Sequence, residues 1–196
     1  MPDPSSRPAN ARLFWIAALS VVALDIVTKR LAESFLVPFQ PVRVLGDFGR
    51  LTLVYNRGAA FSMSLGEQYN RIIFGAFAAL ALVILWRLYR HSPASERARV
   101  LALGLAWGGA AGNLIDRLRG DQGVVDFIDL GVGAVRFWTF NVADSAVTIG
   151  ACLLAWVLWR EDRETERLRK ATEAAGHSDA LEKREAAGTL EERAGS

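Results

Sequence analysis

In a chain of 196 residues that is 52% hydrophobic with a formal charge of only +2, the apolar residues lie in long runs and the charges between them, which is membrane patterning. No basic block resembles a nucleic-acid footprint, and the single cysteine, Cys152, excludes an intramolecular disulfide and sits in an apolar run without a histidine or cation to activate it. The only histidines, His91 and His177, fall in a charged connector and a polar tail, so carboxylates, hydroxyls, amides or lysines must carry any chemistry, and neither metal nor cofactor is expected.

Residues 1–12 are polar and contain Pro2, Pro4, Pro8, Arg7 and Arg12. An apolar run from Leu13 to Leu24 follows, then Asp25 and Lys29. A cleaved signal peptide is the first alternative, but no small-residue cleavage site follows, and the helical pattern continues through Leu31, Phe35 and Leu36. That length crosses about 30 Å of hydrocarbon. Residues 37–70 are punctuated by Pro38, Pro41, Gly46, Gly49, Gly58 and Gly66, and Leu51 to Tyr55 reads as a strand. The second apolar run is Ile72–Trp86, followed by Arg87, Arg90, Arg97 and Arg99. The third, Val100–Ile115, contains Gly104, Gly108, Gly109 and Gly112, whose spacing lets neighbouring helices approach closely. A mixed loop covers 116–139, and the fourth run is Val142–Trp159. The remainder, rich in Glu, Arg and Ala, is a helical or disordered solvated tail.

This pattern predicts membrane spans at about 13–36, 70–87, 99–116 and 141–160, joined on one side by loops 37–69 and 117–140. The membrane domain is 13–160, flanked by tails 1–12 and 161–196. The positive-inside rule places both termini in the cytoplasm, on the side of Arg7, Arg12, the Arg87–Arg99 cluster and Arg160–Lys170. Trp15, Trp86 and Trp159 border the inner ends, and Trp138 marks the outer interface.

Polar groups within spans are costly unless partnered, which makes them functional candidates. Asp25 and Lys29 are i,i+4 on one helix face and form either a structural ion pair or a substrate-binding pair. Asn113 and Arg117 have the same spacing, with Asp116 beside them, and are read as a network that locks helix ends or as part of the chemistry. Asn141 fits an N-cap. Asp126 and Asp144 each stand among apolar neighbours near a membrane boundary. Two carboxyls brought together share a proton, one serving as general base for water and the other as general acid toward a carbonyl. Spacing does not select this pair. Asp129, one helical turn from Asp126, and Asp116 and Asp121 compete with it. A serine-lysine dyad drawn from Lys29, Ser62 and Ser145 is a rival.

The segments Asp25 to Lys29, Asn56 to Ser62, Gly108 to Arg117 through Gly123 to Phe127, and Phe140 to Asp144 resemble, in order and in position at the helix ends, the lipoprotein signal peptidases, or signal peptidase II. The resemblance covers roughly residues 13–160. It implies a membrane all-α fold, a bundle of four transmembrane helices with both termini inside, a small extracytoplasmic β-sheet region and a short loop helix over the site. It also implies a monomeric bacterial inner-membrane aspartic endopeptidase. Its substrates would be diacylglyceryl-modified prolipoproteins, cut on the N-terminal side of the lipidated cysteine near the outer face.

On this resemblance Asp126 and Asp144 match the catalytic aspartates. Asn56, Asn113, Arg117 and Asn141 match residues lining the active site, and Asp25 and Lys29 match the first-helix motif, with Ile26 where the family often has glutamine. Gly58, with Ala59 and Ala60, supplies small residues for close approach or simply a turn after a strand. An aspartate-activated water would attack the scissile carbonyl, with no acyl-enzyme and no metal. A transporter or channel would instead need polar residues at mid-membrane and on both faces, whereas the inner halves of these helices are almost wholly apolar. The remaining alternative is an inactive membrane scaffold.

Overall fold

A computed structural model of the chain describes residues 10–58, 67–93, 95–120 and 122–194, with side chains excepted at 67–69 and 174–194. In chain order the elements are α1 (Ala11–Phe35), β1 (Val42–Leu45), β2 (Gly49–Asn56), α2 (Glu67–Arg90), α3 (Arg97–Arg119), β3 (Val124–Val132), β4 (Val135–Arg136) and α4 (Val142–Ala194). Four of these helices are long and apolar enough to cross a membrane. The chain divides into two units, residues 1–154 and residues 155–196, the second being the continuation of α4.

The helices are inverted relative to those of a soluble bundle. On α1 the buried positions are Phe14, Ala17, Ala18, Val21, Asp25, Lys29 and Ala32, a single stripe at helical spacing that includes both charged residues. Ile16, Leu19, Leu24, Val27 and Leu31 lie on the exposed surface of the same helix. A helix that exposes its large aliphatics and buries its charges is built for hydrocarbon. The α3 helix packs through its glycines, as the sequence predicts. A Cβ added at Gly104 or Gly108 would strike the carbonyls of Phe14 and Ala18 on α1, and one at Gly109 would strike the carbonyl of Ala143 on α4. One core cluster, Phe14, Tyr89, Val100 and Leu103, ties α1, α2 and α3 at the end that holds both the start of α1 and the α2–α3 turn.

At the other end the two connections make a four-stranded antiparallel sheet in the order β1-β2-β3-β4. A second core cluster of Ala32, Leu53, Val125 and Phe127 fastens it to α1. The strand read at Leu51 to Tyr55 lies within β2. The mixed loop predicted over 116–139 is replaced by the end of α3, β3 and β4. The first four residues of β3 are buried regardless of parity, so it lacks the polar-apolar alternation that marks a half-exposed strand. The loop helix implied by the resemblance is not found among the described residues, and residues 59–66 of the first connection lie outside them.

Candidate active site

Asp126 sits on β3 facing β2, 2% exposed, and each of its carboxyl oxygens accepts a hydrogen bond. Asn56 Nδ2, from the end of β2, donates to Oδ2 at 3.0 Å, and Asn141 Nδ2 donates to Oδ1 at 2.7 Å. Asn56 is held in this orientation by the amide of Gly58, which donates to its Oδ1 at 2.9 Å. Gly58 has φ +86° and a Cβ there would collide with the Phe74 ring, so both backbone and space require glycine.

Asp144 lies in the first turn of α4 and shares a reciprocal cap with Asn141. The Asp144 amide donates to Asn141 Oδ1 at 2.9 Å, and the Asn141 amide donates back to Asp144 Oδ2 at 3.2 Å. This is the geometry of a capping box. The cap predicted for Asn141 is therefore present, and the same side chain also touches Asp126. Asn113 completes the bridge. Its Nδ2 donates to Asp144 Oδ1 at 2.7 Å, and its Oδ1 accepts from Asn141 Nδ2 at 3.1 Å. Two asparagines, bonded to each other, thus link the two carboxyls.

Beneath them, Lys29 Nζ stands 2.7 Å from Asp25 Oδ2 and 2.7 Å from Asp116 Oδ2, and donates to Asn113 Oδ1 at 3.0 Å. Arg117 donates to the Asn113 carbonyl at 2.9 Å, lies 5.9 Å from the Phe74 ring, and is electrostatically coupled to Asp144 and Asp126. Asp25, Lys29, Asn56, Gly58, Asn113, Arg117, Asp126, Asn141 and Asp144 therefore meet in one connected cluster at the sheet end of the bundle. Burial, only partly offset by the amide donors Asn56 and Asn141, pushes the Asp126 carboxyl up to about 7.

Of the competing carboxylates, Asp129 separates, while Asp116 stays in the cluster on Lys29. Because 124–132 is a strand, Asp126 and Asp129, three residues apart, point to opposite faces and are not one turn apart on a helix. Asp129 accepts from Thr52 Oγ1 at 3.0 Å and pairs with Arg136 at 2.8 Å, in a latch that also holds Asp47 and Arg50. Asp121 and Ser62 lie outside the described residues. The serine-lysine alternative loses its geometry among the described residues, since Ser145 Oγ donates to the Asn141 carbonyl at 3.0 Å and Lys29 points its ammonium into three other acceptors.

Sequence reasoning missed two contributors. Asp116 appeared there as a neighbour of Asn113 and as a competing carboxylate, not as a partner of Lys29, yet it binds Lys29 and accepts from the Val125 amide at 3.4 Å. Gly123, with φ +93°, lets the Asn56 carbonyl pass where a Cβ would stand. A glycine directly before an apolar strand was the available signal. A cavity of about 270 Å³ reaches Lys29, Asp116 and Tyr55 but neither Asp126 nor Asp144. Among the described residues no group of three or more His, Cys, Asp or Glu converges as metal ligands would.

Known proteins are similar to this chain. A family model described as Signal peptidase (SPase) II matches residues 17–160. The lipoprotein signal peptidase of Francisella tularensis subsp. novicida is 38% identical over 144 residues, which is 72% of this chain and 88% of the relative. That of Paraburkholderia phymatum is 41% identical over 155 residues, 77% of this chain and 91% of the relative. A solved structure of a bacterial membrane enzyme superposes with a TM-score of 0.70 at 29% identity, covering 78% of this chain and 96% of that one. With four apolar helices, a sheet at one end and a matching family model over most of its length, the chain belongs to the signal peptidase II family and is a multi-pass membrane peptidase.

Proposed function

We propose that this protein is an aspartic endopeptidase that removes the signal peptide from diacylglyceryl-modified prolipoproteins, cutting on the N-terminal side of the lipidated cysteine. The observation that carries this reading is the pair Asp126 and Asp144, joined through the side chains of Asn141 and Asn113. At neutral pH such a pair holds one proton. Asp126, pushed up to about 7, is the member that carries it, and Asp144, with acceptor oxygens fixed by Asn113 and the Asn141 amide, takes a proton from the attacking water. The water oxygen bonds to the scissile carbonyl carbon while Asp126 protonates the carbonyl oxygen. On collapse one hydroxyl of the diol returns its proton to Asp126, the carbon–nitrogen bond breaks, and the departing amine of the lipidated cysteine takes the proton held by Asp144, which restores the singly protonated pair.

The position of the pair supports the substrate. A cluster at the ends of membrane-spanning helices suits a cleavage site that follows a membrane-embedded signal helix, with the acyl chains left in lipid. We place both termini in the cytoplasm from the arginines flanking the other helix ends, which puts the sheet and the cluster at the outer face of the bacterial cytoplasmic membrane.

Asp126→Asn and Asp144→Asn, each purified and presented with a lipid-modified preprotein, test the mechanism. Each folded variant should lose about a thousandfold in kcat, in line with removal of a general acid or base. Undiminished cleavage by either would remove the aspartic mechanism.

A further inference from the structure

The residues directly before the two proposed catalytic aspartates, Val125 and Ala143, are joined by an unbroken chain of contacts. The Val125 amide donates to Asp116 Oδ2 at 3.4 Å, and Asp116 Oδ2 lies 2.7 Å from Lys29 Nζ. Lys29 Nζ lies 2.7 Å from Asp25 Oδ2, and Asp25 Oδ1 accepts the Ala143 amide at 2.9 Å. The third Lys29 contact, to Asn113 Oδ1 at 3.0 Å, leads on through Asn113 Nδ2 to Asp144. Two of the three Lys29 contacts, to Asp25 and Asp116, are ion pairs, and the third is a hydrogen bond. Lys29 and Asp25 are 3% and 0% exposed, so their contact is buried, while Asp116, 12% exposed, borders the cavity.

We infer that Lys29 is a positioning residue that sets the separation of Asp126 and Asp144, through Asp116 and the Val125 amide on one side and Asp25 and the Ala143 amide on the other. Asp126 comes from a strand and Asp144 from a helix start, and these elements are already tied by the backbone pairing of Phe127 and Ile128 with Phe140 and by the Asn141 side chain. That pairing leaves the amides of Val125 and Ala143, the residues directly before the aspartates, to other partners. A single buried cation between two carboxylates, each gripping one of those amides, adds a second tie, and two ties set a separation that one would leave free to pivot. Asp25 acts here as a cap for α4 supplied by α1, and Gly112 keeps that route open, because a Cβ there would fall against Asp25 Oδ2.

The inference rests on the aspartic reading, and the experiment separates the two. Lys29→Met and Lys29→Arg are compared with Asp126→Asn and Asp144→Asn in purified, folded protein acting on a lipid-modified preprotein. A misplacement of about 1 Å costs on the order of a hundredfold in rate. Folded Lys29→Met should therefore lose about that factor in kcat while KM stays near the parent value. Its charge also acts on Asp126, alongside Asn56 from β2, Asn141 and Asp144 from α4, and Arg117 from α3. Lys29→Met should accordingly move the alkaline limb of the kcat profile to higher pH. Lys29→Arg, which keeps the charge in a flat fork, should lose kcat with that limb unmoved. Parental kcat in either Lys29 variant overturns the inference, as does a loss confined to KM. If both aspartate variants cleave normally, the aspartic reading fails; if they are dead while Lys29→Met is fully active, only the inference fails. Where Lys29→Met does not fold, Asp116→Asn and Asp116→Ala decide. The first keeps an acceptor for the Val125 amide and should retain more kcat than the second, and parental kcat in Asp116→Ala overturns the inference.

Discussion

Asp126 accepts one side-chain amide on each oxygen and sits on a strand whose surroundings exclude water, so burial raises its carboxyl while Asn56 and Asn141 pull the other way. As the acid of the proposed mechanism it must hold its proton, and the direction of the pH dependence follows. Activity is present below about 7 and falls as pH rises through that value, because the carboxyl ionises. Asn56→Ala removes a donor that favours the charged form. In that variant the alkaline limb of kcat/KM should move to higher pH, which a pH-rate profile of the two proteins reads directly. A limb that moves down would assign the proton to another group.

At the scale of elements, α4 begins where the chemistry is placed, and one residue serves both. Asn141 caps the helix through Oδ1 and bridges to Asp126 and Asn113 through Nδ2. Serine can do the first but not the second. Asn141→Ser should therefore melt close to the parent yet cleave far more slowly, whereas Asn141→Ala should be slow and also lose about 1 kcal/mol of stability with the cap. Thermal unfolding and steady-state rates on the same preparations separate the two contributions. Equal melting of the alanine and serine variants would remove the cap from the account. The strand β3 shows the complementary lesson. Its run Val124 to Leu130 is strongly apolar with two aspartates, and only its pairing with β2 puts Asp126 toward Asn56 and Asp129 toward Thr52. Read as a helix, the same residues would have placed both carboxylates on adjacent positions of one face.

For the whole molecule, the proposed orientation is open to direct measurement. In a Cys152→Ala background, a single cysteine at Ala134 in the exposed β3–β4 turn should react with an impermeant maleimide in spheroplasts. One at Thr172, on the exposed continuation of α4, should react only after the membrane is opened. The reverse result would invert the protein and put the cluster on the wrong side for a signal peptidase.

The sequence by itself determined the four apolar helices, because a bilayer requires a long apolar run for each crossing, and runs are visible without any knowledge of contacts. It also marked Asp25, Lys29, Asn113, Arg117, Asn141, Asp126 and Asp144, because polar groups stand out against an apolar background. Motif resemblance supplied the choice among the carboxylates that spacing left open. Only the tertiary structure decided how these residues meet. Hydrogen-bond partners such as Asn56 with Asp126, or Asp25 with the Ala143 amide, lie 70 and 118 residues apart and leave no periodic trace in the chain. The same holds for β1, β3 and β4, whose short or doubly buried strands carry no alternation to read, and for Asp116, whose role exists only because α1 brings Lys29 beside it.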